Sequence, residues 1–241
     1  MVVAPGCWID VMPDVTHERT RVMLQSLGAR RFLVVHLPAF RLERLGYSAH
    51  DLVGLIDEVK NAMRLVALTP SARDCGLQIG MTATAARALV PEVLLEERMA
   101  EAELFDRHAL MVAFGQLSDR VAWPWEEDLV LEVSRTSRVF GGEEATMTRA
   151  RILAESLGHC CHLSLADDVL AAHILATHTP TDVAVPIGEA ASFLSPLPIA
   201  AMRPPAELFT ALRALGIERI GQLAALDSAS VSGRYGKTGA L

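Results

Sequence analysis

The chain has 241 residues, 51% of them hydrophobic, and a formal net charge of −7 from 22 basic and 29 acidic side chains. That length buries most of the surface an unfolded chain exposes, so no disulfide or metal staple is required, and the apolar majority excludes wholesale disorder. No run reaches 18 uninterrupted apolar residues, Met1 to Met12 carries no basic cluster, and the four cysteines follow no regular spacing, which points to a soluble cytoplasmic protein.

Residues 1–29, with two prolines and a short helix candidate at 17–27, differ from the rest and read as an appendage. Residues 31–37 predict a buried strand stopped by Pro38. Residues 52–57 and 64–69 predict two strands joined by a turn near Lys60-Asn61. Thr69-Pro70-Ser71 starts a short helix that ends at Gly76, and a second helix runs over 82–90 until Pro91. A long helix is expected over 97–117, with Phe105, Ala109 and Val112 at helical spacing. A strand pair follows at 120–123 and 129–134, in which Leu129, Leu131 and Val133 face one way and Asp128, Val130 and Glu132 the other.

Gly141-Gly142 precede a helix whose Met147, Ala150, Ala154 and Leu157 share a face, closed by Gly158. Residues 159–166 predict a strand, and Asp167 or Asp168 opens a helix with Val169, Ala172, His173 and Ala176 on one face. Leu208, Leu212 and Leu215 lie on a helix ended by Gly216, followed by a shorter one over 220–226. This order describes a mixed α/β lobe with helical insertions.

Charge is unevenly placed. Twenty of the basic residues are arginine and only Lys60 and Lys237 are lysine; residues 92–108 and 119–134 each carry a net −4, leaving the rest at +1. No phosphate-binding stripe is visible, so tight DNA binding is not expected. His159-Cys160-Cys161-His162 looks metal-like, but neighbours in a strand point to opposite faces, so it reads as buried strand residues and not as zinc ligands. Gln222 to Leu226 resembles a clamp-binding peptide superficially, yet Leu223 and Leu226 at helical spacing fit a core. Trp123 and Trp125 around Pro124 fit a packed turn.

Several patterns, in the right order over roughly residues 30–235, resemble the Y-family, or UmuC-like, translesion DNA polymerases. Arg31-Phe-Leu-Val-Val-His-Leu-Pro-Ala-Phe40 resembles the first palm strand, and Val66 to Met81 the fingers motif with its Ala72-Arg73 and Gly76-x-x-x-Gly80-Met81. Leu131-Glu-Val-Ser134 with Val139-Phe-Gly-Gly142 is similar to the palm strand after the catalytic acids, and Leu194 to Pro198 with Leu212 to Leu223 to the approach to the thumb. The resemblance implies an α/β (α+β) fold: a ferredoxin-like palm with a mixed sheet and helices at 30–50 and 98–185, small fingers at 51–97, and a partial helical thumb at 186–241. The little-finger lobe would be absent.

Active members use a carboxylate on the first strand and two more on the later strand to bridge two Mg²⁺ ions. Here the first position falls on His36, and Glu127 and Asp128 fall at or near the second pair. A single imidazole cannot bridge two hard cations as a carboxylate can. Glu126-Glu127-Asp128 fits either a solvated turn or relic ligands; the third charge and the flanking Pro124-Trp125 favour an exposed corner facing water. Arg73 matches the arginine that reaches the triphosphate, or else covers the end of its helix, but Pro70 replaces the tyrosine before it. Arg41 stands at the sugar-screening position, acids and His173 stand where cations meet phosphates, and Met202-Arg-Pro-Pro205 replaces a Gly-x-Gly hairpin.

The resemblance therefore implies a non-catalytic homologue with no cofactor and no metal, acting as an adapter in SOS-induced translesion synthesis and mutagenesis. Implied partners are an error-prone C-family DNA polymerase, the sliding clamp and a RecA-like accessory protein, with weak DNA contact and no membrane. The alternatives are a weakly active, Mg²⁺-dependent polymerase using Glu127 and Asp128, and a degenerate product with no DNA role.

Overall fold

A computed structural model describes residues 30–226. The helix candidate at 17–27 and the tail after Leu226 lie outside the described residues. Strand β1 (Phe32–His36) is apolar from Phe32 to Val35, as suits a strand covered on both faces, and ends in His36. It is the centre of a five-stranded sheet ordered β5-β6-β1-β7-β8, formed with β5 (Val121–Trp125), β6 (Asp128–Glu132), β7 (His162–Ala166) and β8 (Val183–Ala184). β1 is antiparallel to both β6 and β7, and its last residue, His36, sits opposite Asp128 on one side and His162 on the other.

The alternation read from β6 holds. Leu33, Val35, Leu129, Leu131 and Val133 pack under two helices, α4 (Ala100–Phe114) and α5 (Glu143–Ser156). Val34, Val130 and Ala166 pack on the other face under α6 (Val169–His178). Asp168, rather than Asp167, caps α6, its carboxylate accepting from Ala171 N–H at 2.8 Å.

Two short helices, α2 (Pro70–Asp74) and α3 (Ala83–Leu89), pack on a second sheet of three strands ordered β3-β2-β4. Its strands are β2 (Val53–Val59), β3 (Ala62–Leu68) and β4 (Leu94–Glu97), and Lys60 and Asn61 both adopt positive φ in the tight β2–β3 turn. Thr69 and Thr82 cap α2 and α3 with their hydroxyls. Between the sheets lies α1 (Phe40–Glu43); beyond β8, α7 (Ala190–Leu194), α8 (Ala206–Ala214) and α9 (Ile220–Ala224) follow, with a small core of Ile199, Leu208, Leu212 and Ile217. Leu223 packs on that core. No helix among the described residues is long and apolar enough to cross a membrane.

Three expectations need correction. The long helix begins at Ala100, not at residue 97, because Leu94 to Glu97 pair with β2 and Arg98 N–H donates to Ile56 O at 2.9 Å. Phe105, Ala109 and Val112 face outward, and the helix buries Glu103, Leu110 and Phe114 instead. That face carries Leu110 and Phe114 into the main core, and three arginines meet the charge of Glu103 beside them. The strand expected from residue 159 starts at His162, since His159 N–H still closes α5 by donating to Ala154 O.

Phe114 is fully buried in the main core. Phe114→Ala should lower unfolding stability by about 3–5 kcal/mol in a denaturant melt.

Candidate functional site

The alternation that drives Val34 and Val130 under α6 also turns His36 and Asp128 to that face, at the paired ends of β1 and β6. Asp128 is 2% exposed. His36 Nδ1 lies 2.9 Å from its Oδ1. His173 comes down from α6 and places Nδ1 3.2 Å from Oδ2, an ion-pair contact away from hydrogen-bond alignment. The His173 ring stacks on Trp125 with centroids 4.0 Å apart, and His36 lies over His162 at 6.3 Å. Burial alone would push the Asp128 carboxyl up, but the imidazoles of His173 and His36 outweigh it and hold the group below the ordinary carboxylate range.

Glu127 lines the same cavity as His36 and Asp128 but without their pairing. Its backbone carbonyl accepts from Leu37 N–H at 2.7 Å, and its half-buried side chain lines the cavity between the two sheets. Burial pushes its carboxyl above the ordinary glutamate range, with His36 and Arg41 offsetting this only in part. Neighbouring carboxyls are thus driven in opposite directions. The expected exposed corner is confined to Glu126; Asp128 is buried because β1, Trp125 and α6 close over it.

A second charged cluster forms the cavity wall. Glu103, 3% exposed, receives Arg41 Nε at 3.2 Å, Arg98 Nε at 2.7 Å and Arg107. Burial raises the Glu103 carboxyl, but Arg98, Arg41 and Arg107 bring it below its ordinary value. Arg41 also reaches Glu126 Oε2 at 2.8 Å, and Arg107 sits over the rings of Phe40 and Trp123. The cavity, about 560 Å³, is further lined by Arg73 and by Arg203, a non-glycine residue at φ +49° within the Met202 to Pro205 segment. Arg73 is exposed at its rim.

This donor set does not fit a pair of Mg²⁺ ions. His36 supplies nitrogen where a bridging oxygen is needed, both Asp128 oxygens face imidazoles, and among the described residues no three His, Cys, Asp or Glu side chains are arranged to hold a metal. The His159 to His162 run does not converge either: His159 pairs with Glu43 at 3.2 Å, Cys160 is exposed, and burial pushes the Cys161 thiol up to about 11. Glu103 and the pairing of His173 with Asp128 were not found from sequence. The alternation of β6 was the available signal for the face of Asp128; nothing local marked its partner on α6.

Protein ImuB from Caulobacter vibrioides is 30% identical over 161 residues, 67% of this chain and 35% of that protein. DNA polymerase IV from Dehalococcoides mccartyi is 29% identical over 177 residues, 71% of this chain and 45% of that one. Among solved structures, DinB from Sulfolobus solfataricus superposes with a TM-score of 0.70 at 16% identity, covering 86% of this chain and 63% of that one. A Y-family DNA polymerase chimera of Dbh and Dpo4 gives 0.71 at 17%, covering 86% and 64%. This is a Y-family polymerase-like protein, similar to ImuB. No family model matches the chain. It spans less than half the length of the curated relatives named above. Its mixed α/β architecture is that of the Y-family palm and fingers, as the resemblance implied.

Two predictions follow from the opposed carboxyls of this Y-family-like cleft. Glu127, whose carboxyl is raised, costs stability once pH exceeds the ordinary glutamate range, because the folded state then resists ionisation. Glu127→Gln should raise the melting temperature at neutral pH, and the gain should vanish as pH falls below that range. Glu103 has the opposite sign: its stabilisation is present above the ordinary range and disappears as pH falls through its lowered value. Glu103→Gln leaves three guanidinium groups without their counter-charge and should cost about 3–5 kcal/mol in a neutral-pH denaturant melt.

Proposed function

We propose that this chain is the polymerase-like module of a non-catalytic adapter in damage-induced translesion synthesis and mutagenesis. The observation that carries the reading is Asp128, a buried carboxylate flanked by His36 and His173 where metal-dependent polymerases present carboxylates to two cations. The similarity to ImuB and to DNA polymerase IV supports a place in DNA damage tolerance. On this reading residues 30–50 and 98–185 act as palm, 51–97 as fingers, and the segment from 186 as part of a thumb.

The fold then serves as a scaffold for an error-prone C-family polymerase, the sliding clamp and a RecA-like accessory protein. DNA contact is weak, since the chain carries −7 net charge and Arg41 and Arg107 are already engaged by carboxylates. On this reading Arg73, which lines the cavity together with Arg203, would be a side chain that meets a phosphate.

Primed template, all four nucleotides and Mg²⁺ or Mn²⁺ test the reading directly. The protein should extend no primer, and its non-specific DNA affinity at physiological salt should be no tighter than about 10⁻⁴ to 10⁻⁶ M. Template-dependent extension that Asp128→Ala abolishes would overturn the non-catalytic assignment in favour of a weak polymerase.

A further inference from the structure

Three guanidinium groups of the cavity wall meet three carboxylates. Arg41, Arg98 and Arg107 all contact Glu103, Arg98 also reaches Asp57 at 3.3 Å, and Arg41 also reaches Glu126 Oε2 at 2.8 Å. The cluster is therefore balanced in charge only while Glu126 belongs to it. Glu103 is buried, whereas the Glu126 side chain is 72% exposed. Its backbone is nevertheless anchored, since its carbonyl accepts from Arg107 Nη2 at 2.9 Å and from Trp123 Nε1 at 3.2 Å. Those bonds hold the chain where the Glu126 carboxylate meets Arg41, and they do not involve the side chain itself.

This pairing balances charge but leaves donors open. Among the described residues, Arg41 Nη2 and Arg107 Nε are shielded from solvent and have no aligned hydrogen-bond acceptor. The Arg41 side chain is 7% exposed and lines the cavity, as do Arg107, Arg73 and Arg203. Guanidinium groups are strong, directional partners for phosphate oxygens, so four of them around one cavity suit a polyphosphate anion. Three carboxylates share that lining, Glu126, Glu127 and Asp128. Asp128 is faced by imidazoles, and burial disfavours the ionised form of Glu127. Glu126 is the one of the three paired with an arginine.

We propose that Glu126 is a built-in stopper: its carboxylate occupies the place beside Arg41 that a phosphate group needs, and so keeps polyphosphate anions out of the cavity. The inference rests on the reading of this chain as a non-catalytic module, and adds that ligand binding, as well as metal binding, is switched off in the cleft. An arriving phosphate must displace an acid already in contact with Arg41. It must also bear the repulsion of that acid at short range, where partly buried surroundings screen charge poorly. Both obstacles disappear when the side chain at 126 is neutral, and the cluster is then left with one unmatched positive charge facing the cavity.

Calorimetric titration of the full chain with inorganic pyrophosphate, in EDTA so that no divalent ion contributes, tests this. Glu126→Gln should bind pyrophosphate about tenfold or more tightly than the unaltered protein, and Glu126→Ala should do the same. Adding Arg73→Ala and Arg203→Ala to Glu126→Gln should remove the gain, since both side chains line the cavity and both are exposed. Glu92→Gln, which neutralises an exposed acid outside the cavity lining, should leave the affinity unchanged. All the replaced side chains are largely exposed, so each variant should melt close to the unaltered protein, and the melt reports that it is folded. An affinity unchanged by Glu126→Gln would overturn the proposal. So would an equal gain in Glu92→Gln, which would make net charge the cause, or a gain that survives loss of Arg73 and Arg203. The stopper and the non-catalytic reading fail separately: tight pyrophosphate binding by the unaltered protein, with no primer extension, would sink the stopper alone.

Discussion

A buried carboxylate needs partners for its oxygens, and the pairing of β1 with β6 supplies one of them at Asp128. His36 sits directly opposite Asp128, so the register that buries Val34 and Val130 on the α6 face also fixes an imidazole beside the acid. A slip of one residue would send both sets of side chains to the opposite face and destroy two cores at once. The position of His36 is therefore coupled to the packing of the whole central sheet. α6 completes the arrangement through His173, which Trp125 holds by stacking.

Glu103 plays the corresponding part on the other face. It lies on α4, while its partners come from α1 (Arg41), from the segment after β4 (Arg98) and from α4 itself (Arg107). Arg98 also reaches Asp57 on β2, which ties the second sheet to the cluster. One buried carboxylate thus joins the helix that covers the first sheet to the strands of the second. It also makes the cavity wall stiff where Arg41 and Arg107 would otherwise be free to meet an anion. The abundance of arginine over lysine suits this use, because a planar guanidinium can serve two acids at once, as Arg41 does with Glu103 and Glu126.

Sequence patterns were informative where a residue's role depended on its neighbours along the chain. The β6 alternation, the hairpin at Lys60-Asn61 and the cap at Thr69 are local effects, and each appears in the structure. Failures came where the deciding partner was distant in sequence. Helical spacing pointed to the stripe of Phe105, whereas the buried face carries Glu103, whose partner Arg41 is 62 residues away. The turn Glu126-Glu127-Asp128 read as solvated because three adjacent acids repel one another in water-poor surroundings. In the fold all three line the one cavity and differ in burial: Glu126 is exposed, Glu127 half-buried, and Asp128 buried against imidazoles. β4 was missed because its four residues, Leu94 to Glu97, carry two acids and no alternation, and are held only by parallel pairing with β2.

The opposed shifts of Glu127 and Asp128 also bear on how two adjacent acids share one cleft. Two ionised carboxylates side by side in a half-buried site destabilise each other unless metal ions bind both. Here the conflict is resolved by unequal environments. Asp128 keeps its charge because imidazoles face it, and Glu127 is left in surroundings that favour its neutral form. Replacing His36 by an acid would reverse that logic, setting a second carboxylate opposite Asp128 and recreating the demand for a divalent ion. The histidine thus gives the buried carboxylate a hydrogen-bonding partner within the sheet, which an acid at the same place would not.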